Sequence, residues 1–306
     1  MKELQFRHVD VFTQNPFTGN PLAVVLGAEV LSVLEMHSIA EEFGMPETTF
    51  VLPTNKPGAD YKVRIFTPVR EVPFAGHPLV GTAHTIVTEG LSKLGKDGGT
   101  LALDTGVGVL PVDVSPEEGG APKIVMTQAK PKFLSTPDKQ QFSLVCEALR
   151  VSEEGVRNTG MKPQVVSTGL AQLFVPVTGL KAIQVLKPDL EKVKKVEKQM
   201  GLTGVGVFTM ETADREAAAH LRFFAPSIGI NEDAAAGSAA GGLGAYLAKT
   251  KLLSKQRLQD FSIEQGIEMG RPSRLLVSVE TKDGNPHRVK VGGYSTTILR
   301  GVLRVK

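Results

Sequence analysis

Two stretches of this 306-residue chain set small residues and a glycine directly ahead of a chemically useful side chain: "EVPFAGHPLVGTAH" at 71–84 and "EDAAAGSAAGGLGAY" at 232–246. In each, the glycine precedes His77 or Ser238, and a run of small apolar residues follows that reads as a helix. The first N–H groups of a helix have no partner within it, and the macrodipole adds partial positive charge, so such an end attracts anions. Gly76 and Gly237 let the backbone come close to a ligand, while His77 and Ser238 can cap the helix or reach what is bound. One such turn is an ordinary helix start. Two, at corresponding places in one chain, point to a small carboxylate held from two sides.

Acids near these turns could supply proton transfer. Glu71 and Glu232 hold equivalent positions, Asp233 follows the second and lies five residues before Ser238, and Glu47 sits where a loop becomes a strand. A carboxyl group buried in an apolar cleft has its pKa raised towards neutrality and can serve as general base and then general acid. Proximity to the turn ranks Asp233 first, and the residues alone do not select Glu47.

The elements that must position these side chains follow from an internal repeat. "RIFTP" at 64–68 answers "RFFAP" at 222–226, a separation of 158, and "FAGHPLVG" at 74–81 answers "AAGSAAGG" at 235–242, a separation of 161. The difference is a three-residue insertion around "IGI" in the connecting loop. Gly44 aligns with Gly201 at 157, and "LALDTG" at 101–106 with "FSIEQG" at 261–266 at 160. Helices are expected near 30–43, 77–91, 142–150, 188–200 and 238–252. Strands are expected near 4–12, 21–26, 49–53, 61–66, 123–127, 164–168, 172–177, 205–210 and 219–224. The fold class is therefore α+β: two pseudo-symmetric lobes, each a curved, mostly antiparallel sheet wrapped around a central helix. The lobes are expected over 1–117 and 121–306, with the last strand or strands free to return to the N-terminal lobe, and with the Pro/Gly-rich "SPEEGGAPK" at 115–123 as linker. A helix enclosed by strands must be thin and apolar all round, as "HPLVGTAHTIV" and "SAAGGLGAYLA" are.

Composition narrows the function classes. The chain is 41% hydrophobic and 22% charged with a net charge of +3, the balance of a soluble globular protein. The one dense basic stretch, 186–199, interleaves Lys with Glu and Asp at helical spacing and reads as a solvated helix face, so no nucleic-acid partner is expected. No apolar run of about 18 residues exists, so no membrane partner is expected. Cys146, the only cysteine, lies in an apolar-periodic stretch and reads as a packing residue; no internal disulfide can form, and the start of the chain reads as a strand, not a signal peptide. These features fit the cytoplasm. "AAGGLGAYL" lacks the dinucleotide-binding glycine spacing and its downstream acid. "MGRPSRL" reads as a turn between strands, with Arg271 bonded to backbone.

In order along the chain, "FTGNPLAVV", "ETTFV", "RIFTPVREVPFAGHPLVGTAH", "RFFAPSIGINEDAAAGSAAGGLGAYL", "QGIEMGRPSRL" and a late "VGG" resemble the PhzF (phenazine-biosynthesis-like) family, within the diaminopimelate epimerase-like fold. The resemblance implies a homodimeric, cofactor-independent and metal-free isomerase with its site in the cleft between lobes. The reaction it implies moves a proton between carbons of a small, cyclic or unsaturated carboxylic acid. By motif it makes Glu47 in "ETTF" the general acid/base, with His77 and Asp233 as further catalytic residues. Asp233, His77 and Ser238 would contact the polar groups of the substrate, and the N–H groups of Gly76, His77, Gly237 and Ser238 would receive its carboxylate. Glu47 thus comes from the resemblance. Where the family usually shows Pro-Ala/Val-Thr before the second glycine, this chain has Ala234-Ala235-Ala236 and loses a hydroxyl near the ligand. A related group places a cysteine just before each glycine; here those places hold Ala75 and Ala236, which excludes two-thiol epimerisation. The alternative reading is a catalytically silent carboxylate-binding protein, which needs the helix ends but not the acid.

Overall fold

The computed structural model describes residues 1–253 and 256–306. The chain forms two compact units, Met1–Met126 with Gly292–Lys306, and Thr127–Val291. It runs through β1 (Lys2–Val11), β2 (Asn20–Val25), α1 (Val33–Phe43), β3 (Glu47–Leu52), β4 (Tyr61–Phe66), β5 (Glu71–Val72), α2 (Gly76–Thr88), β6 (Gly99–Thr105), β7 (Gly108–Ser115) and β8 (Lys123–Thr127). There follow β9 (Lys132–Phe133), α3 (Lys139–Leu149), α4 (Glu153–Arg157), β10 (Gln164–Ser167), β11 (Ala171–Pro176), α5 (Leu180–Gln184), α6 (Leu190–Met200), β12 (Gly204–Thr209) and β13 (Ala217–Ala225). Last come β14 (Ile230–Asp233), α7 (Gly237–Thr250), β15 (Leu258–Gln265), β16 (Ser273–Lys282), β17 (Asn285–Gly293) and β18 (Ser295–Val305).

Among the described residues the strands belong to one 18-stranded sheet, and those of the two units repeat one wiring. In the first unit β18, β1, β2, β3, β4, β6, β7 and β8 are successive neighbours, parallel only at β2–β3 and β4–β6. In the second, β9, β10, β11, β12, β13, β15 and β16 are successive neighbours, parallel only at β11–β12 and β13–β15. The short strands β5 and β14 lie against β4 and β13.

Local signals explain the matching helices. Ser32 caps α1 in a reciprocal box with Glu35, and Gly44 ends it with φ 60°. In α6, 157 residues on, Asp189 caps the start and Gly201 ends the helix with φ 64°. The apolar stripe of α1, Met36, Ile39 and Ala40, packs on one face of the sheet with Phe50 and Phe66. That of α6, Val193 and Val196, packs with Val145 and Leu149 of α3 and with Leu173 and Val205 of the sheet. The central helices are enclosed as the small-residue runs predict. Residues His77–Ile86 of α2 are buried without a break, and in α7 so are Gly237 and Ala239–Ala248.

Cys146 is buried in α3, and burial pushes its thiol up to about 11, so it packs and does not react. The stretch at 115–123, read from sequence as a linker, instead joins β7 to β8, which pair antiparallel. The chain crosses between units inside β8 and β17. Among the described residues no helix is long and apolar enough to cross a membrane.

Candidate active site

In the first unit, Glu47 opens β3 and is 6% exposed. The pleat puts Glu47 and Thr49 on one face of the strand. The Thr49 hydroxyl lies 2.8 Å from that of Thr82 in α2, so this face meets the central helix. The carboxyl of Glu47 accordingly reaches the first turn of α2, where its Oε2 lies 3.4 Å from His77 Nε2. His77 Nδ1 lies 3.3 Å from the carboxamide nitrogen of Asn20, the first residue of β2. Burial pushes His77 down to about 3, against a backbone hydrogen bond at Pro21 that raises it. The ring is therefore neutral at pH 7, with one N–H and one lone pair. A neutral imidazole can donate to the Glu47 carboxylate in one tautomer and accept from the Glu47 acid in the other. That is the support a group needs if it is to be base and then acid.

The second unit gathers Asp233, Gly237 and Ser238. Asp233 ends β14, is half-buried, and accepts the Ala235 N–H at 3.1 Å through Oδ1. Ser238 is half-buried, and its hydroxyl accepts from Gln172 Nε2 at 3.0 Å. The N-caps of α2 and α7 are Ala75 and Ala236, which have no side-chain oxygen to offer. No side-chain cap closes either helix start, which suits backbone N–H groups kept for an anion.

Glu71 and Glu232, the matched acids of the sequence, are committed elsewhere. Arg64 holds Glu71 through two hydrogen bonds of 2.7 and 2.6 Å, and Arg222 holds Glu232 through two of 2.8 Å. Each guanidinium also lies 5.3 Å from a phenyl centroid, Phe66 in one unit and Phe224 in the other. Glu47 and Asp233 instead break the repeat. Leu22 of β2 faces Glu47, and Gln172 of β11 faces Gly204, so Gly204 is the counterpart of Glu47. A Cβ on Gly204 would fall 2.2 Å from Phe223 Cζ, so no acid fits there. Ile65 pairs with Val72 as Phe223 pairs with Asp233, which makes Val72 the counterpart of Asp233. This loss of symmetry is the signal in the sequence that could have selected Glu47. The carboxamides of Asn20 and Gln172, which hold His77 and Ser238, were not anticipated.

Among the described residues no group of three or more His, Cys, Asp and Glu side chains is arranged to hold a metal ion. The buried His220 sits between Glu264 and Glu268, but each bonds a different ring nitrogen, at 2.7 and 3.0 Å. In the "MGRPSRL" turn, Ser273 donates to the carbonyls of Ala234 and Arg271, both at 3.0 Å.

Over residues 9–301 the chain matches the family model described as phenazine biosynthesis-like protein. An uncharacterized isomerase of Clostridium acetobutylicum is 33% identical over 304 residues, 99% of each chain. The trans-2,3-dihydro-3-hydroxyanthranilate isomerase of Pseudomonas aeruginosa is 32% identical over 293 residues, 96% of each chain. The crystal structure of a Bacillus anthracis phenazine biosynthesis protein of the PhzF family is 28% identical and matches with a TM-score of 0.89 over 100% of both chains. With its α+β architecture and its duplicated helix turns, the chain belongs to the phenazine biosynthesis-like (PhzF) family of isomerases.

Proposed function

We propose that this isomerase moves a proton between carbons of a small, cyclic or unsaturated carboxylic acid, with Glu47 as general acid/base. The observation that carries the reading is a buried carboxyl, 6% exposed, set 3.4 Å from a neutral imidazole at the start of an enclosed helix. Glu47 takes a proton from a carbon made acidic by conjugation and returns it to another, and His77 steadies it in both states. Substrate binding falls to Gly76 and His77 at the start of α2 and to Gly237 and Ser238 at the start of α7, each a helix end whose N–H groups suit a carboxylate. Asp233 and Ser238 contact its other polar groups. Because Gly204 replaces the acid in the second unit, one base serves removal and return on the same face of the substrate. A relative named trans-2,3-dihydro-3-hydroxyanthranilate isomerase supports a hydroxylated cyclic acid as the substrate class. We further place the enzyme as a homodimer in the cytoplasm.

The test is a screen of small carboxylic acids in deuterated water, scored for binding and for solvent label at carbon. The expected result is label uptake by the wild-type enzyme and its loss in Glu47→Gln with binding retained. Near-normal uptake in Glu47→Gln overturns the assignment of Glu47. Tight binding with no uptake by the wild-type enzyme overturns the isomerase reading in favour of a silent binder.

A further inference from the structure

The first turn of α7 is held by three glutamine side chains drawn from three places in the second unit. Gln265, at the end of β15 and 0% exposed, accepts the Ala236 N–H at 3.2 Å and donates to the Asp233 carbonyl at 2.7 Å. One carboxamide thereby spans the whole Asp233–Ala236 turn. Gln128 donates to the Gly237 carbonyl at 2.8 Å, and Gln172 to the Ser238 hydroxyl at 3.0 Å. Gly241 makes room for this arrangement: a Cβ there would fall 1.8 Å from Gln128 Oε1. The counterpart of Gln265 in the first unit, 160 residues earlier, is Thr105, whose hydroxyl turns instead to the Gly108 carbonyl of its own hairpin at 2.9 Å. The frame therefore belongs to α7 alone and is not a by-product of the duplicated fold.

We infer that Gln265 is a positioning residue, which fixes the Gly237 and Ser238 amides in the geometry that receives a carboxylate. The inference rests on the proposed function, in which those amides bind the substrate. A carboxamide suits the task because it offers an acceptor and a donor at the spacing of one turn and carries no charge to repel the anion. A carboxylate in its place keeps the acceptor, loses the donor and adds repulsion.

The test titrates the ¹⁵N-labelled full chain with trifluoroacetate, a carboxylate that stays ionised, while following the Gly237 and Ser238 amide resonances. Wild-type protein, Gln265→Met and Gln265→Glu are compared at pH 8 and pH 5. The expected result is about tenfold weaker binding in both variants at pH 8. Gln265→Glu then recovers towards wild-type affinity at pH 5, where the buried acid protonates and its O–H replaces the lost donor, while Gln265→Met does not. Loss of repulsion alone would also restore Gln265→Glu at pH 5, but it would leave the uncharged Gln265→Met at wild-type affinity at pH 8. Wild-type affinity in Gln265→Met at pH 8, or no recovery in a folded Gln265→Glu, overturns the inference and leaves the proposed function standing. If Gln265→Met does not fold, Gln265→Leu, likewise uncharged and without a carboxamide, takes its place beside Gln265→Glu. If wild-type protein gives no response at Gly237 and Ser238, the carboxylate role of this turn fails and the inference falls with it.

Discussion

At the scale of single residues, the proposed function gives the chemistry to the pair Glu47–His77, and the neutral state of the His77 ring follows from burial. His77 is held down to about 3, so between pH 8 and pH 5 it neither gains nor loses a proton. Its ring resonances in an NMR titration should stay at neutral-imidazole positions over that range, and a shift near pH 6.5 would show that the ring is not desolvated as described. His77→Ala should lower kcat/KM by about 10²- to 10⁴-fold, the range of a group that shares in proton movement. How much of this was legible in the sequence depends on which residue is asked about. Gly76, His77, Gly237 and Ser238 stand out because the repeat sets them side by side. Glu47 does not, because a lone acid at a strand start has many ordinary uses. Only its replacement by Gly204 in the other half marks it. Asn20 and Gln172 were illegible, since they act through side chains from strands distant in sequence.

At the scale of elements, the duplicated arginine–glutamate clips show the same motif in two settings. Arg64 and Glu71 keep 21% and 40% of their side-chain surface exposed, whereas Arg222 and Glu232 keep 7% and 19%. Arg222 also donates to the carbonyls of Ile183 and Leu186, at 2.9 and 2.8 Å, and so ties α5 and the residues after it to the sheet. Solvent screens the first pair, and removing its arginine should cost about 0–1 kcal/mol. Removing Arg222 strands two buried carbonyls and a partly buried carboxylate, which should cost about 3–5 kcal/mol. Denaturant midpoints of Arg64→Ala and Arg222→Ala should therefore differ widely, and equal losses would show that the second clip is as solvated as the first. The elements themselves were largely readable, because α1, α2, α3, α6 and α7 each show a clear apolar pattern or a small-residue run. Two five-residue helices, α4 and α5, were not: they are too short to show a period. The 115–123 stretch misled because Pro and Gly serve a hairpin connection as well as a linker.

At the scale of the whole molecule, the buried histidines set how stability depends on pH. Burial alone pushes His220 down, but its hydrogen bonds and charge interactions with Glu264 and Glu268 outweigh this and bring it up to about 9. The folded protein thus holds a proton that the unfolded chain, with a value near 6.5, releases. This contribution is complete below pH 6.5 and is lost as pH rises through 9. His77 and His84 act in the opposite sense, since burial brings them to about 3 and about 4. Below pH 6.5 the unfolded chain takes up protons that these two folded rings refuse, so their contribution is complete above 6.5 and lost on acidification. Together the three place the histidine optimum near pH 6.5, with a loss on either side. The urea midpoint of the wild-type protein should fall between pH 6.5 and about 9.5, as a raised histidine requires. In His220→Gln the midpoint should already be lower at pH 6.5, because Glu264 and Glu268 are left without their cation, and it should change less over the same interval. Parallel midpoint curves for the two proteins would mean that His220 does not carry the alkaline loss, and that the three-residue cluster is not the charged network its distances describe.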